Sequence, residues 1–283
     1  MSSVQTAVRS RLPRLSSVVI FLLLAGYLLV VLFPIYWIVV SSFKIPVDTL
    51  VIPPVWLFTP TLDAYLNVFA LNYYFRYFVN SAVVSAGTVA IALSLGSLAA
   101  YALDRVPFRF SGLVSYALLT TRMIFPIVYA IPLFTLMQRA GLLETRTGLI
   151  IAYTTFSLPY AVWIMQGFFN GIPTELDEAA MIDGCSRFGA FWRVVLPVAG
   201  PGLAAASIFI LMLAWNEFLF ALILAGGGDA KTLPVAAAQL IGQREIQWNE
   251  LCAVATATIV PMVFFFILFQ RHLIKGMIAG AVK

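Results

Sequence analysis

Charged residues are scarce in this sequence: Asp, Glu, Lys and Arg make up only 10% of its 283 residues, whereas 62% are hydrophobic. A soluble globular domain is about 25% charged and about 45–50% apolar. The shortage of charge therefore excludes a water-soluble enzyme of a common fold. The high hydrophobicity also excludes intrinsic disorder, which requires low hydrophobicity and high net charge. This composition predicts an integral membrane protein.

Histidine and cysteine are scarce too. His272 is the only histidine, and the two cysteines, Cys185 and Cys252, lie far apart with no CxxC pairing. We therefore expect no disulfide scaffold, no metal site and no histidine-based proton relay. The net charge of +5 is typical of a membrane protein with basic cytoplasmic loops. We expect a lipid bilayer as a partner, and no nucleic acid.

Long stretches with no charge, or with a single charge, predict membrane-spanning helices. A helix needs roughly 20 residues to cross about 30 Å of hydrocarbon. The strands of a transmembrane barrel are about 10 residues long and alternate polar with apolar residues, unlike these continuously apolar stretches. We predict an all-α integral membrane protein with six transmembrane helices and a cytoplasmic helix between the fourth and fifth spans. The predicted spans are residues 15–42, 78–102, 112–137, 148–170, 201–225 and 250–270.

The distribution of Lys and Arg predicts the orientation in the membrane. Six spans place both termini on one side, and that side holds ten basic residues outside the spans against six on the other. The basic side is normally cytoplasmic, so we expect cytoplasmic tails at residues 1–14 and 276–283 around a transmembrane domain at 15–275. We read the first apolar stretch as a retained helix, because it is longer than the apolar region of a signal peptide. The stretch Thr232–Gln243 has no charge but is too short to span, so we predict a helix at the membrane surface.

The loop between the predicted fourth and fifth spans carries helix-start and helix-stop signals. Thr174 followed by Asp177 is a capping-box variant, and Gly184 stands where a left-handed residue ends a helix. A second short helix is expected over Ser186–Val195, before a proline. The pattern predicts a helix–glycine–helix elbow. From the residues alone, the elbow either lies on the lipid surface or docks a cytoplasmic partner.

The elbow also carries a spaced signature, which reads E-A-A, three residues, G, eleven residues, L-P. The signature is formed by Glu178, Ala179, Ala180, Gly184, Leu196 and Pro197. It resembles the EAA signature of the membrane subunits of bacterial binding-protein-dependent ABC importers. Other segments resemble the carbohydrate branch of these permeases, in particular the maltose-type (MalG-like) six-helix subunit. Those segments are Arg122–Pro126, Ile131–Phe134, Gly141–Leu143, Gly148–Ile150, Ala214–Leu219 and Gly280–Lys283.

The sequence departs from this family at two positions. Cys185 follows the signature glycine where the family usually has alanine, and a small residue should be tolerated there. Phe125 stands where proline is common, which predicts a milder bend in the third span. The likeness nevertheless runs over most of the chain, roughly from Leu15 to Lys283.

The resemblance implies a non-catalytic permease subunit in the bacterial cytoplasmic (inner) membrane. It would pair with a second homologous permease and with two copies of a cytoplasmic ABC ATPase, which would bind ATP and Mg. An extracytoplasmic solute-binding protein would deliver a sugar or sugar-like solute, and this chain would bind no cofactor. The elbow would be the coupling helix. The residues implied to contact the ATPase are Glu178, Ala179, Ala180, Asp183, Gly184, Arg187, Phe188, Leu196 and Pro197.

Polar residues within the predicted spans mark a candidate substrate path. A charge at the centre of a bilayer costs at least about 2.5–3.5 kcal/mol, so Arg122 and Glu217 are expected to face a cavity or a partner. One hypothesis is that they bind sugar hydroxyls, and the other is that they make helix or subunit contacts. An Arg122–Glu217 ion pair is a further option. The candidate path residues are Arg122, Tyr129, Tyr153, Asn216 and Glu217.

Three other interpretations compete with this one. The glycine-rich segment Ala225–Thr232 superficially resembles a phosphate loop, but alanine occupies both required glycine positions. The family resemblance instead implies a flexible loop facing the binding protein. A stand-alone secondary transporter or channel remains the alternative function, although such proteins often show internal repeats and buried ionisable relays. A membrane enzyme would need a histidine-rich site or a carboxylate pair within one span, and neither is present.

Overall fold

The computed structural model describes the backbone of most of the chain, namely residues 15–71, 74–106, 109–241 and 246–281. These described segments are predominantly helical and contain no strand, which confirms the predicted all-α fold. The predicted tail at residues 1–14 lies outside the described residues, as do the last two residues of the predicted tail at 276–283.

The described residues form fourteen α-helices, several of them very short. They are α1 (Leu15–Ser41), α2 (Pro46–Thr49), α3 (Asp63–Tyr65), α4 (Tyr74–Arg105), α5 (Ser111–Thr120), α6 (Ala130–Arg139), α7 (Arg146–Phe169), α8 (Glu175–Ile182), α9 (Arg187–Ala190), α10 (Leu196–Val198), α11 (Gly200–Trp215), α12 (Leu219–Ala225), α13 (Leu233–Ile241) and α14 (Trp248–Ala281). Turns of π geometry occur at Leu66–Leu71 and Phe191–Val195, and 3-10 turns at Thr121–Met123 and Pro126–Tyr129.

Four of these helices, α1, α4, α7 and α14, are long and apolar enough to cross a membrane. Two bent pairs of helices raise the number to six if each counts as one span. In the first pair, Ser111–Met123 meets Pro126–Arg139 at 96°; in the second, Arg187–Val198 meets Gly200–Trp215 at 78°. The predicted spans 112–137 and 201–225 each contain a break, the second one between α11 and α12.

The bend in the third span is sharp rather than mild. Phe125 has an extended ψ of 133° directly before Pro126. A proline disfavours the helical conformation of the residue before it and cannot donate a backbone hydrogen bond. Pro126 therefore produces the break without a second proline at position 125.

Helices α4 and α7 pack along each other at the centre of the molecule, and α11 packs against both. Helices α4 and α7 are in close contact at Gly96, where an added Cβ would collide with the Cβ of Ala161 in α7. By contrast, α1 contacts mainly α14 and leaves its apolar side chains exposed. An exposed apolar helix of this length fits a surface that faces lipid or another membrane subunit.

Helix α13 occupies the stretch that was predicted to lie at the membrane surface. Its apolar side chains Leu233, Val235 and Leu240 are buried, and the helix packs against α4 and α14. The short uncharged stretch therefore forms a helix, as predicted, and its apolar side chains pack against other helices of the protein.

Replacing Gly96 with valine should destabilise the bundle. The added side chain would force α4 and α7 apart, and overpacking of this kind costs about 1–3 kcal/mol. Gly26→Val is the matched control, because an added Cβ at Gly26 meets nothing within 4 Å. Thermal unfolding in detergent should show a lower midpoint for Gly96→Val only, and equal midpoints would refute the close contact.

Candidate functional site

The elbow between α7 and α11 begins with α8 and turns at a glycine. Gly184 has φ +89°, a left-handed conformation that favours glycine, as the sequence predicted. The predicted capping box is absent: Thr174 is itself helical and makes no side-chain cap. Ser186 caps the next helix instead, because its hydroxyl accepts a hydrogen bond from the Gly189 amide at 3.1 Å.

Asp177 points into the protein rather than capping α8. Its Oδ1 accepts a hydrogen bond from the Tyr101 hydroxyl at 2.6 Å, and its Oδ2 pairs with Arg105 Nε at 3.0 Å. Arg105 also donates through Nη2 to the carbonyl oxygens of Phe169 (3.3 Å) and Ile172 (2.5 Å). The side chains of Arg105 and Asp177 are each only 8% exposed. Sequence reasoning missed this cluster, although Asp177 and the buried Ala180 share one face of α8.

The opposite surface of the elbow is apolar and exposed. The exposed fractions are 86% for Ile182, 64% for Phe188 and 59% for Trp192. Exposed large apolar side chains on a single short element favour a protein or membrane contact. These three side chains form the exposed elbow surface.

The nine residues implied to contact an ATPase do not all share that exposure. Ala180 is buried, and Leu196 is half-buried. Arg187 is exposed and donates to the backbone oxygen of Arg105 at 3.1 Å, so it also ties the elbow to α4. The exposed members of the set are Glu178, Ala179, Asp183, Gly184, Arg187, Phe188 and Pro197.

A cavity of about 430 Å³ brings together four of the five candidate path residues. Its polar and aromatic lining includes Arg122, Tyr153, Tyr160, Asn216 and Glu217. The fifth, Tyr129, lines an adjoining cavity of about 340 Å³, which shares Arg122 and Phe156 with the first. The fold thus places the five candidate path residues around two cavities with shared lining residues.

The two charged residues of the cavity are held separately. The carboxylate of Glu217 accepts hydrogen bonds from the Phe220 amide at 2.9 Å and the Ala221 amide at 3.0 Å, which caps the first turn of α12. The guanidinium of Arg122 lies over the Tyr160 ring, 3.7 Å from its centroid. No ion pair joins Arg122 to Glu217 among the described side chains, so the pairing option is wrong in this structure.

Both broken spans contribute to this cavity. Arg122 and Pro126 flank the break in the third span, and Asn216 and Glu217 form the break between α11 and α12. Non-helical backbone at membrane depth is tolerated where it is buried in protein or lines a cavity. Two breaks around one polar cavity are therefore a candidate passage for a polar solute.

Hydrogen bonds and an ion pair hold the glycine-rich segment after α12 in place. Glu144 accepts hydrogen bonds from the amides of Gly227 (3.2 Å) and Gly228 (2.7 Å). Asp229 pairs with Arg76 at 2.8 Å, and its backbone oxygen accepts a hydrogen bond from Asn80 at 2.8 Å. The segment expected to be a flexible loop is thus ordered by contacts with neighbouring elements.

Comparison with known proteins adds independent findings. Residues 92–279 match the family model described as "Binding-protein-dependent transport system inner membrane component". The chain is 36% identical to the trehalose transport system permease protein SugB of Mycobacterium tuberculosis, over 92% of this chain and 94% of that protein. It is 32% identical to the trehalose/maltose transport system permease protein MalG of Thermococcus litoralis, over 93% and 96%. The sulfoquinovosyl glycerol transport system permease protein SmoH of Agrobacterium fabrum is 35% identical, over 89% of each chain.

A solved structure shares the fold. A chain of a bacterial ABC transporter involved in the import of the acidic polysaccharide alginate superposes with a TM-score of 0.75, covering 93% of this chain and 98% of that chain. The identity is 23%, so this likeness supports the fold alone.

Replacing Glu144 with alanine should loosen the glycine-rich segment. It removes two charge-assisted hydrogen bonds, each contributing about 1.5–3 kcal/mol. We expect amide hydrogen exchange at Gly227 and Gly228 to rise by roughly tenfold or more, while exchange within α7 stays the same. Unchanged exchange at these two glycines would contradict the observed fastening.

Proposed function

The chain belongs to the family of binding-protein-dependent transport system inner membrane components, and on that premise we propose that it forms half of the translocation pathway of an ABC importer. In this proposal, it carries a sugar or sugar-like solute across the bacterial inner membrane. Transport is driven by ATP hydrolysis on a separate ATPase, which holds the ATP and Mg. The chain itself performs no catalysis and binds no cofactor.

The exposed elbow surface is the observation that carries this proposal. Ile182, Phe188 and Trp192 project from a short, sharply turned element that is joined to α4, α7 and α11. An apolar surface on a compact element suits insertion into a groove of a partner protein. We assign that groove to the ATPase, with both chain termini and the elbow on the cytoplasmic side. Movement of the groove would then turn the attached spans as a rigid body.

The polar cavity supports a carbohydrate as the solute. Arg122 and Asn216 offer hydrogen-bond donors, and the aromatic rings of Phe156 and Tyr160 lie beside them. Sugars present hydroxyl groups at their edges and apolar C–H faces, so polar groups among aromatic rings match them. The relatives named for trehalose, maltose and sulfoquinovosyl glycerol favour the same class of solute.

The remaining partners follow from the family. A second homologous permease would complete the pathway, two copies of the ATPase would dock at the elbows, and an extracytoplasmic binding protein would deliver the solute. The apolar surfaces of α1 and α14 supply area for lipid and for the second permease.

Purification of the tagged chain in mild detergent, together with the products of its neighbouring genes, tests this assembly. We expect a second permease and an ATPase to co-purify in stoichiometric amounts. A folded, monodisperse chain that purifies alone would contradict the importer and favour a stand-alone transporter or channel.

Replacing Gly184 with alanine should weaken the coupling between ATP hydrolysis by the partner ATPase and solute transport. A side chain at φ +89° strains the backbone by about 1–3 kcal/mol, so α8 would shift relative to α9. In proteoliposomes we expect solute uptake to fall by roughly fivefold or more, while the complex still assembles. Gly171→Ala is the matched control, because Gly171 has no positive φ and an added Cβ makes only ordinary contact. Equal loss in both variants would argue against a special role for Gly184.

Replacing Arg122 with alanine should reduce solute uptake. Hydrogen bonds to a charged group contribute about 1.5–3 kcal/mol, which corresponds to a fall of roughly 10- to 100-fold if Arg122 binds the solute during passage. Arg139→Ala, which removes an exposed basic residue at the end of α6, should leave uptake near that of the unaltered transporter. Normal uptake by Arg122→Ala would assign Arg122 to packing against Tyr160.

A further inference from the structure

A charged cluster lies where the end of α4 meets α7 and the elbow. Arg105 forms ion pairs with Asp104 Oδ2 and Asp177 Oδ2, each at 3.0 Å, and its Nη2 donates hydrogen bonds to the carbonyl oxygens of Phe169 and Ile172. One guanidinium thus joins the last turn of α4, the end of α7 and the first turns of α8. The cluster borders a cavity of about 190 Å³, beneath the outer face of α8.

The two halves of the elbow are attached to the spans by different interactions. Its second half is held by apolar packing, because Phe191 and Val195 belong to a buried cluster with Tyr101, Met165 and Phe169. In the first half, α8 buries only Asp177 and Ala180. Ala180 is too small to supply much apolar contact, so Asp177 provides the main directed link from α8 to the spans.

The chemistry of this link favours rigidity. The two hydrogen bonds from Arg105 Nη2 hold its guanidinium against the end of α7, and the ion pair with Asp177 holds α8 against the same group. The Tyr101 hydroxyl holds the other oxygen of the Asp177 carboxylate. A buried ion pair that loses one partner leaves an uncompensated charge, so separating α8 from α4 would be opposed at short range.

We propose that Arg105 and Asp177 form a latch that makes α8 part of one rigid body with the inner ends of α4 and α7. This inference rests on the proposed function and deepens it. A force applied to the elbow by the ATPase passes through the latch into α4, and through the Phe169 and Ile172 carbonyls into α7. Arg105 and Asp177 are positioning residues, because both side chains are buried and act on the elbow through the helices they join.

The test measures whether α8 keeps its distance from α4 during the ATPase cycle. The full complex is assembled with cysteine-free partner subunits in nanodiscs. Spin labels are attached at Leu176→Cys, an exposed position on α8, and at Ile91→Cys, an exposed position on α4, in a Cys185→Ser and Cys252→Ser background. Distances are recorded by double electron–electron resonance, without nucleotide and after trapping with ATP and vanadate.

With the latch intact, we expect the same distance in both states. In Asp177→Asn, which keeps the side-chain shape, we expect the nucleotide-free distance to be retained and the trapped distance to shift or broaden. Basal ATP hydrolysis should persist in that variant, because the ATPase itself is unchanged. Asp177→Glu, which keeps the charge, should restore part of the wild-type behaviour.

Glu175→Gln is the matched control, since it removes one negative charge from the exposed side of the same helix. A distance that changes on trapping in the wild type would overturn the latch, as would an Asp177→Asn variant that behaves like wild type. An Asp177→Asn variant altered already without nucleotide would assign Asp177 to folding alone. Failure of the wild-type chain to co-purify with an ATPase would instead overturn the proposed function, and the latch with it.

Discussion

Backbone amides and carbonyls inside a bilayer need partners within the protein, because lipid offers none. This constraint accounts for the arrangement of the cavity. The break between α11 and α12 frees amides at the start of α12, and the Glu217 carboxylate accepts two of them. The break at Pro126 lines the same cavity. A charge that is costly in hydrocarbon thus stabilises a helix end beside the polar cavity.

Buried charges are also paired with suitable partners at the elbow. Arg105 and Asp177 are buried, yet each faces an opposite charge and makes hydrogen bonds to backbone or hydroxyl groups. Around them, the elbow exposes Ile182, Phe188 and Trp192 and buries Ala180, Phe191 and Val195. The elbow is thus attached to the spans on its inner side and exposed on its outer side. In the proposed function, the cavity between the broken spans would carry the solute, and the elbow would contact the ATPase.

Much of the fold could be predicted from apolar run lengths, because a helix long enough to span a membrane leaves a plain composition signal. The left-handed conformation of Gly184 could also be predicted, because a left-handed glycine commonly ends a helix. The helix breaks were harder, because a single Phe-Pro pair or an Asn-Glu pair does not reveal the angle between two segments. The sequence predicts that Asp177 caps α8, and this prediction is wrong. Its partner Arg105 is far away in the chain and comes close only after folding. The cavity residues were identified by their polarity, but their partners, Tyr160 for Arg122 and the α12 amides for Glu217, depend on packing.

The central claim is that the exposed elbow surface binds the ATPase. Site-specific photo-crosslinking from Phe188 in the assembled, membrane-embedded transporter tests it most directly. Leu57, which is 94% exposed in the loop after α2, serves as the comparison site. If the exposed elbow surface binds the ATPase, we expect a crosslink to the ATPase from Phe188 and none from Leu57. A crosslink only to lipid from Phe188, or to the ATPase from Leu57, would contradict it.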